Sequence, residues 1–228
     1  MRDLLLLALI MVFSLSVSAQ DSKKAEDKEA SYTKTITGRA EKIVATLGLT
    51  DSTKAIRVRD IITNQYRNLN TIYTARDEQV KMIRGNGAEK NSTDSLARLI
   101  AETYQAKVQK LHDPFISALS KELNNEQVIK VKDGMTYNVV SVTYKAMTDM
   151  IPSLKQNEKE QIMAWLVEAR ELAMDAESSE KKHWWFGKYK GKINNYLAAQ
   201  GYDLQKERKE WEQRRKAQQD QKKASHQQ

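Results

Sequence analysis

Acidic, aromatic and basic side chains that could do chemistry are concentrated between residues 168 and 203. Glu168, Glu171 and Asp175 follow one another at spacings of three and four residues, which places them on one face of a helix. Two carboxylates on such a face can do acid–base work on a glycosidic bond. Glu168 and Asp175 are about two helical turns, or roughly 10 Å, apart, so salt bridges to the lysines that follow are the alternative.

A cationic aromatic segment follows, in which residues 181–192 carry five lysines and no acidic residue. Tryptophan rings stack on sugar rings, histidine and asparagine give directional hydrogen bonds, and lysines attract carboxylates. The predicted ligand-binding residues are His183, Trp184, Lys188, Lys192 and Asn195, with an anionic glycan as the candidate partner. If the segment catalyses, the candidates are Glu168, Asp175 and His183. The alternative is a packing helix whose lysines are simply solvated.

Several other chemistries are excluded by what the sequence lacks. It has no cysteine, which excludes disulfides, thiolate zinc sites and a cysteine nucleophile. It also lacks a glycine-rich phosphate loop and the HExxH and GxSxG motifs. The three histidines, His112, His183 and His226, are widely separated, so neither a metal nor another cofactor is predicted. His112 precedes Asp113-Pro114 and is interpreted as a helix-end residue.

The N-terminus has the pattern of a secretory signal peptide. An apolar run over residues 4–13 is too short to span a bilayer comfortably, and small residues follow it. Residues 1–19 are therefore predicted to be removed by a cut between Ala19 and Gln20, and the mature protein to be periplasmic or extracellular. An uncleaved anchor is the alternative, because Asp3 weakens the positive start. Residues 20–32 are polar and aperiodic and are expected to be a flexible mature N-terminus.

Helical periodicity dominates the rest of the chain and predicts an all-α fold, an irregular helical bundle over residues 33–204. Two long helices separated by Gly85-Asn86-Gly87 are predicted to form an antiparallel hairpin, and Pro114 is expected to kink or end the second of them. A short extended segment is the alternative near residues 135–142, which are rich in valine and threonine. Residues 205–228 are expected to be a polar basic tail, either a frayed helix or disordered.

The formal net charge of +8 would suit a nucleic-acid partner if the charge were spread over the chain. It is instead concentrated in residues 181–192 and 205–228, while the remainder is close to neutral. Because export is also predicted, no nucleic acid is expected as a partner. No stretch after the signal peptide approaches transmembrane length.

Several short runs carry a resemblance to a known family. They include Asp133-Gly134-Met135-Thr136-Tyr137, Glu168-Ala169-Arg170-Glu171, Phe186-Gly187-Lys188-Tyr189-Lys190-Gly191-Lys192 and Gly201-Tyr202-Asp203-Leu204. From about residue 36 to 204 the chain resembles a domain-of-unknown-function family of secreted helical bacterial proteins, mostly of Bacteroidetes, often encoded near polysaccharide-degradation genes. The resemblance implies an extracytoplasmic helical domain and favours plant-type glycans among the ligands considered. The family carries no established activity, so no catalytic role follows from it.

The primary prediction is a non-enzymatic exported protein with a binding or accessory role in the use of a glycan, acidic polysaccharides included. One alternative is a lyase or hydrolase that acts on oligosaccharides. Another is a chaperone-like periplasmic helical protein, suggested by helix starts such as Leu49-Thr50-Asp51 and Leu123-Asn124-Asn125-Glu126. Ordinary helix capping with a hydrophobic staple produces the same pattern.

Overall fold

A computed structural model describes residues 26–85 and 89–225. The predicted signal peptide, its cleavage position, Asn86-Gly87 and His226 lie outside the described residues. The fold is all-α, as predicted, with eight helices and no strand in the described part of the chain. The helices are α1 (described from residue 26 to 44), α2 (Ser52–Gly85), α3 (Lys90–Glu122), α4 (Asn125–Met135), α5 (Val139–Met150), α6 (Gln156–Met174), α7 (Ser179–Ala199) and α8 (Leu204–Ser225).

The first of two compact units ends at Asn68 and contains α1 and the first half of α2. The Tyr32 hydroxyl donates to the Tyr66 carbonyl oxygen at 3.1 Å, and these residues flank the turn that joins the two helices. The helices therefore run antiparallel. Residues 26–32, which were expected to be flexible, belong to α1. Its buried apolar stripe comprises Ile36, Ala40, Ile43 and Leu47.

The second unit begins at Leu69, and its core lies around α6 and α7. The backbones of these two helices pack closely, and α6 also packs against α4 and α5. Helix α8 packs on α5 and α7, and α3 packs on α4. Apolar residues at helical spacing supply the core, because one face of each helix turns inward. Its fully buried members include Ile162, Leu166, Phe186, Ile193 and Leu197.

Helices α2 and α3 both form, on either side of residues 86–88. Their backbones are not among the most closely packed pairs of helices in the described part of the chain. Side chains of both helices instead reach the C-terminal end of α6, as described below. Of the two outcomes expected at Pro114, a kink or an end of the helix, the end does not occur, because α3 continues through it to Glu122. Phe115 and Leu119 follow the proline and are buried, and this packing offsets the backbone hydrogen bond that proline cannot donate.

The segment at 135–142 is not extended. Residues 136–138 form a turn, and α5 begins at Val139. The β-branched residues of this segment lower helix propensity only slightly, and burial of Val140 and Thr143 outweighs that cost.

Helix α8 includes residues 204–225 and is docked on the second unit. Trp211 packs against the core around α6 and α7. The Arg214 guanidinium donates to the carbonyl oxygens of Asp149 and Met150 at 3.1 and 3.0 Å. These carbonyls end α5 and have no partner within that helix, so Arg214 caps it. None of the described helices combines the length and the apolar character that a membrane crossing requires.

Replacing Trp211 by alanine is expected to lower the free energy of unfolding by on the order of 2 kcal/mol, because a half-buried aromatic side chain is lost. Urea denaturation followed by circular dichroism measures this. Lys216→Ala, on an exposed position of α8, is the control and should change the value by less than about 0.5 kcal/mol. Equal stability of the two variants would contradict the docking of α8.

Candidate functional site

The structure gives the predicted catalytic carboxylates of α6 different partners. Glu168 is exposed, with its carboxylate 3.9 Å from Lys192 Nζ. It also accepts a hydrogen bond from Tyr189, and burial together with this carboxylate raises the pKa of Tyr189 to about 12. Asp175 is buried at the end of α6, where it contacts His112 of α3. Glu168 and Asp175 therefore do not form a working pair.

Four of the five predicted ligand-binding residues share an exposed face of α7, namely Trp184, Lys188, Lys192 and Asn195. Lys188 Nζ lies 5.7 Å from the Trp184 ring centroid and 5.1 Å from that of Trp185. The Lys188 ammonium therefore makes cation–π contacts with these two rings and is not an unpaired charge. His183, the fifth predicted residue, is also exposed but stacks on Tyr137, with ring centroids 5.5 Å apart. It thus shares no site with Glu168 or Asp175 among the described contacts.

A groove opens at the C-terminal end of α6 and consists of two adjoining hollows of about 220 and 270 Å³. Gln105, Leu172, Asp175 and Trp185 line both hollows. We call it the α6-end groove and define it by six polar or aromatic residues, which are Arg76, His112, Glu171, Asp175, Lys181 and Trp184. Of these, only Asp175 and Trp184 were among the residues predicted for a site.

Side chains cap the last carbonyl groups of α6 and so fix the floor of the groove. Buried Lys182 donates from Nζ to the carbonyl oxygens of Ala173 and Met174 at 3.2 and 2.8 Å. The Tyr73 hydroxyl donates to the Asp175 carbonyl oxygen at 2.8 Å. A cation and a hydroxyl here bind carbonyls at the C-terminal end of the helix, of which that of Ala173 also accepts from the Ala176 amide, and they complement the helix dipole.

His112 is held against α6 by two carboxylates. Its Nδ1 lies 2.6 Å from Asp175 Oδ2, and its Nε2 lies 3.6 Å from Glu171 Oε2. The hydrogen bond to Asp175 raises the pKa of His112 above its usual value, although partial burial and the charge of Lys132 oppose this. The imidazole therefore keeps its positive charge to a higher pH than an ordinary histidine.

Glu171 extends this contact to α4. Lys132 Nζ donates to Glu171 Oε2 at 2.7 Å, and the Arg170 guanidinium binds both Glu171 Oε1 and Asp133 Oδ1. Burial alone would raise the pKa of Glu171, but the hydrogen bonds and charges of Lys132 and Arg170 outweigh it and lower the pKa. Glu171 is therefore ionised and already paired, which does not suit a proton donor. Within the described residues no group of three or more histidine, aspartate or glutamate side chains could hold a metal ion.

The mouth of the groove is aromatic and cationic. Trp184 is 53% exposed and contacts Trp185 edge-on, with ring centroids 4.9 Å apart. The Arg76 guanidinium is paired with Asp77 and Glu177. The Lys181 ammonium has no partner among the described side chains. An exposed indole thus lies in the same hollow as a free positive charge.

The His112 contact is expected to make the stability depend on pH. Because folding raises the pKa of His112, its stabilising contribution is fully present below about pH 6.5, its unfolded pKa. The contribution is lost as the pH rises through the raised pKa of the folded state. Urea denaturation of wild type and His112→Gln between pH 6 and 9 measures the difference, with Asp175, Glu171 and Lys132 as the charged groups that face the ring. A difference that stays constant over this range would contradict the assignment.

Comparison with known proteins assigns the chain to a family. No curated protein matches the chain. The model of a family described as a protein of unknown function, DUF3826, matches residues 33–217. The match includes every residue that defines the α6-end groove, and it continues past residue 204, where the sequence resemblance ended, into α8. The chain belongs to the DUF3826 family of proteins of unknown function.

Proposed function

We propose that the α6-end groove binds an acidic oligosaccharide, with Trp184 stacked on a sugar ring and Lys181 paired with a carboxylate. The observation that carries this proposal is the half-exposed Trp184 ring in one hollow with an ammonium that has no described partner. Indole faces favour flat apolar surfaces such as the CH face of a sugar, and an unpaired ammonium favours a carboxylate.

The floor of the groove supports the same ligand class. Asp175 and Glu171 are engaged by His112, Lys132 and Arg170, so their negative charges are offset before a ligand arrives. Glu177, which also lines the groove, is offset by Arg76, so an anionic ligand would meet repulsion mainly from Asp113, whose carboxylate has no described partner. The groove is open to solvent, which suits an internal segment of a longer chain.

We further propose that this binding serves an exported protein with an accessory role in glycan use. The apolar run over residues 4–13 and the small residues before Gln20 support export. N-terminal sequencing of the protein recovered from its native host tests this part, with Gln20 as the expected first residue. A mature protein that still begins at Met1 would contradict it.

Titration with matched oligosaccharides tests the binding proposal. We expect tetragalacturonate to change the tryptophan fluorescence of the protein, while neutral galactotetraose binds at least tenfold more weakly. Affinity should also fall with added salt, since an exposed ion pair is screened. Tetramannuronate is tested as a second acidic tetramer. The proposal fails if neither tetragalacturonate nor tetramannuronate binds, or if the neutral tetramer binds as tightly as the acidic ones.

A second candidate function is a lyase or hydrolase acting on the same class of oligosaccharide. The observation in its favour is that buried Asp175 orients the imidazole of His112, an arrangement that positions acid–base residues in many enzymes. The raised pKa of His112 suits proton donation better than proton abstraction near neutral pH. Release of shorter products from polygalacturonate by wild type, abolished in His112→Gln, would favour catalysis. Binding without product release would favour the non-enzymatic role.

A further inference from the structure

The turn between α4 and α5 holds a bulky residue in a conformation that favours glycine. Tyr137 and Asn138 have φ angles of 59° and 56°, in the left-handed region. Asparagine tolerates this region, whereas a bulky aromatic residue there is an outlier with a conformational cost. Such strained residues cluster at functional sites, where something other than the local fold accounts for them.

The backbone of the turn does not depend on the tyrosine ring. The Asn138 amide donates to the Asp133 carbonyl oxygen at 2.8 Å, and the Tyr137 amide donates to that of Gly134 at 3.4 Å. Glycine at position 137 would make the same bonds with less strain. The ring is also 49% exposed, so packing accounts for only part of its surface.

The neighbour of this ring is a histidine in a fixed orientation. Tyr137 and His183 stack with an interplanar angle of 26°. His183 Nδ1 lies 2.7 Å from the Ser179 carbonyl oxygen. A carbonyl only accepts hydrogen bonds, so Nδ1 is the donor in this contact, and in that tautomer Nε2 is an acceptor. The pair therefore offers an aromatic surface beside a hydrogen-bond acceptor.

We propose that Tyr137 and His183 form a second sugar-binding subsite, in which a ring stacks on Tyr137 and a sugar hydroxyl donates to His183 Nε2. The inference rests on the proposed function of the α6-end groove and extends it to a longer ligand. His183 and Trp184 are consecutive in α7 and about 100° apart around its axis, so the two sites lie on neighbouring faces of one helical turn. In this proposal the units that follow the ring stacked on Trp184 extend to Tyr137.

The length of the ligand distinguishes the two sites. We expect wild type to bind hexagalacturonate at least tenfold more tightly than digalacturonate, because only the hexamer reaches both. Tyr137→Gly should remove that gain while leaving the affinity for the dimer unchanged. Trp184→Ala should weaken binding of both oligomers. Isothermal titration calorimetry of the full chain gives all these affinities.

The outcomes separate the two proposals. If neither oligomer binds to wild type, the proposed function itself fails. If both bind but the hexamer gains nothing, or if Tyr137→Gly keeps the gain, the groove stands and the second subsite is overturned.

A stability readout accompanies the titration. Tyr137→Gly should melt at a higher temperature than Tyr137→Ala, since both lack the ring and only glycine relieves the left-handed strain. Asparagine also tolerates this conformation, so the binding measurements are repeated with Tyr137→Asn as a second variant that lacks the tyrosine ring. Unfolding of both the glycine and the asparagine variants would show that the ring is structural and would overturn the subsite.

Discussion

Replacing Trp184 by alanine is expected to weaken the binding of tetragalacturonate about thirtyfold, or by about 2 kcal/mol. Trp184 is half exposed in the free protein, with Trp185 edge-on to its ring and the Lys188 ammonium 5.7 Å from its centroid, so a bound sugar would cover ring surface that is otherwise open. Truncation removes this stacking surface at the mouth of the groove. Calorimetric titration of the variant against wild type measures the loss.

Two further variants control this measurement. Trp184→Phe keeps an aromatic face and should retain most of the affinity. Val142→Ala removes an exposed apolar side chain of α5, outside the groove, and should bind as wild type does. An alanine variant at Trp184 with unchanged affinity would remove the groove from consideration as the binding site.

The second large effect is a loss of protein stability on changing a residue of the same groove. Asp175→Ala is expected to lower the free energy of unfolding by about 2–3 kcal/mol, because hydrogen bonds between charged groups are among the stronger ones. Removing the carboxylate leaves the partly buried His112 without its closest partner. Chemical denaturation at pH 6, where the imidazole is charged, measures the change.

Glu168→Ala is the matched control, because it removes a carboxylate from the same helix. Its carboxylate is 54% exposed, 3.9 Å from its lysine and hydrogen-bonded to Tyr189, so the expected change is about 1 kcal/mol at most, well below that of Asp175→Ala. In a His112→Gln background the effect of Asp175→Ala should shrink, since the shared contact is already gone. Equal losses in both backgrounds would show that Asp175 acts without His112.

The helices could be predicted from the sequence because their signal is local. Ile162, Leu166 and Ala169 recur at helical spacing, and all three are buried. The turn at 136–138 was harder, since the sequence around Val140 combines β-branched residues with no glycine at the left-handed positions. The conformation of that segment depends on how α5 packs against other helices, and the local sequence does not reveal this packing.

The site was predictable in part. Trp184 and Asp175 were recognised, but the pairing of Asp175 with His112 was not, because it joins residues 63 positions apart on different helices. One signal was present in the sequence. His112 lies four residues after the buried Val108, so helical spacing alone puts it on the inward face of α3. Glu168 and Asp175 do share a face of α6, but seven residues of separation bring them to different neighbours.

A crystal structure of the full chain with tetragalacturonate tests the central claim most directly. We predict a sugar ring against the Trp184 indole and a carboxylate within hydrogen-bonding distance of Lys181 Nζ, with His112 still bound to Asp175 beneath them. A tetramer bound elsewhere, with Trp184 and Lys181 left uncovered, would contradict the assignment of the α6-end groove as the ligand site.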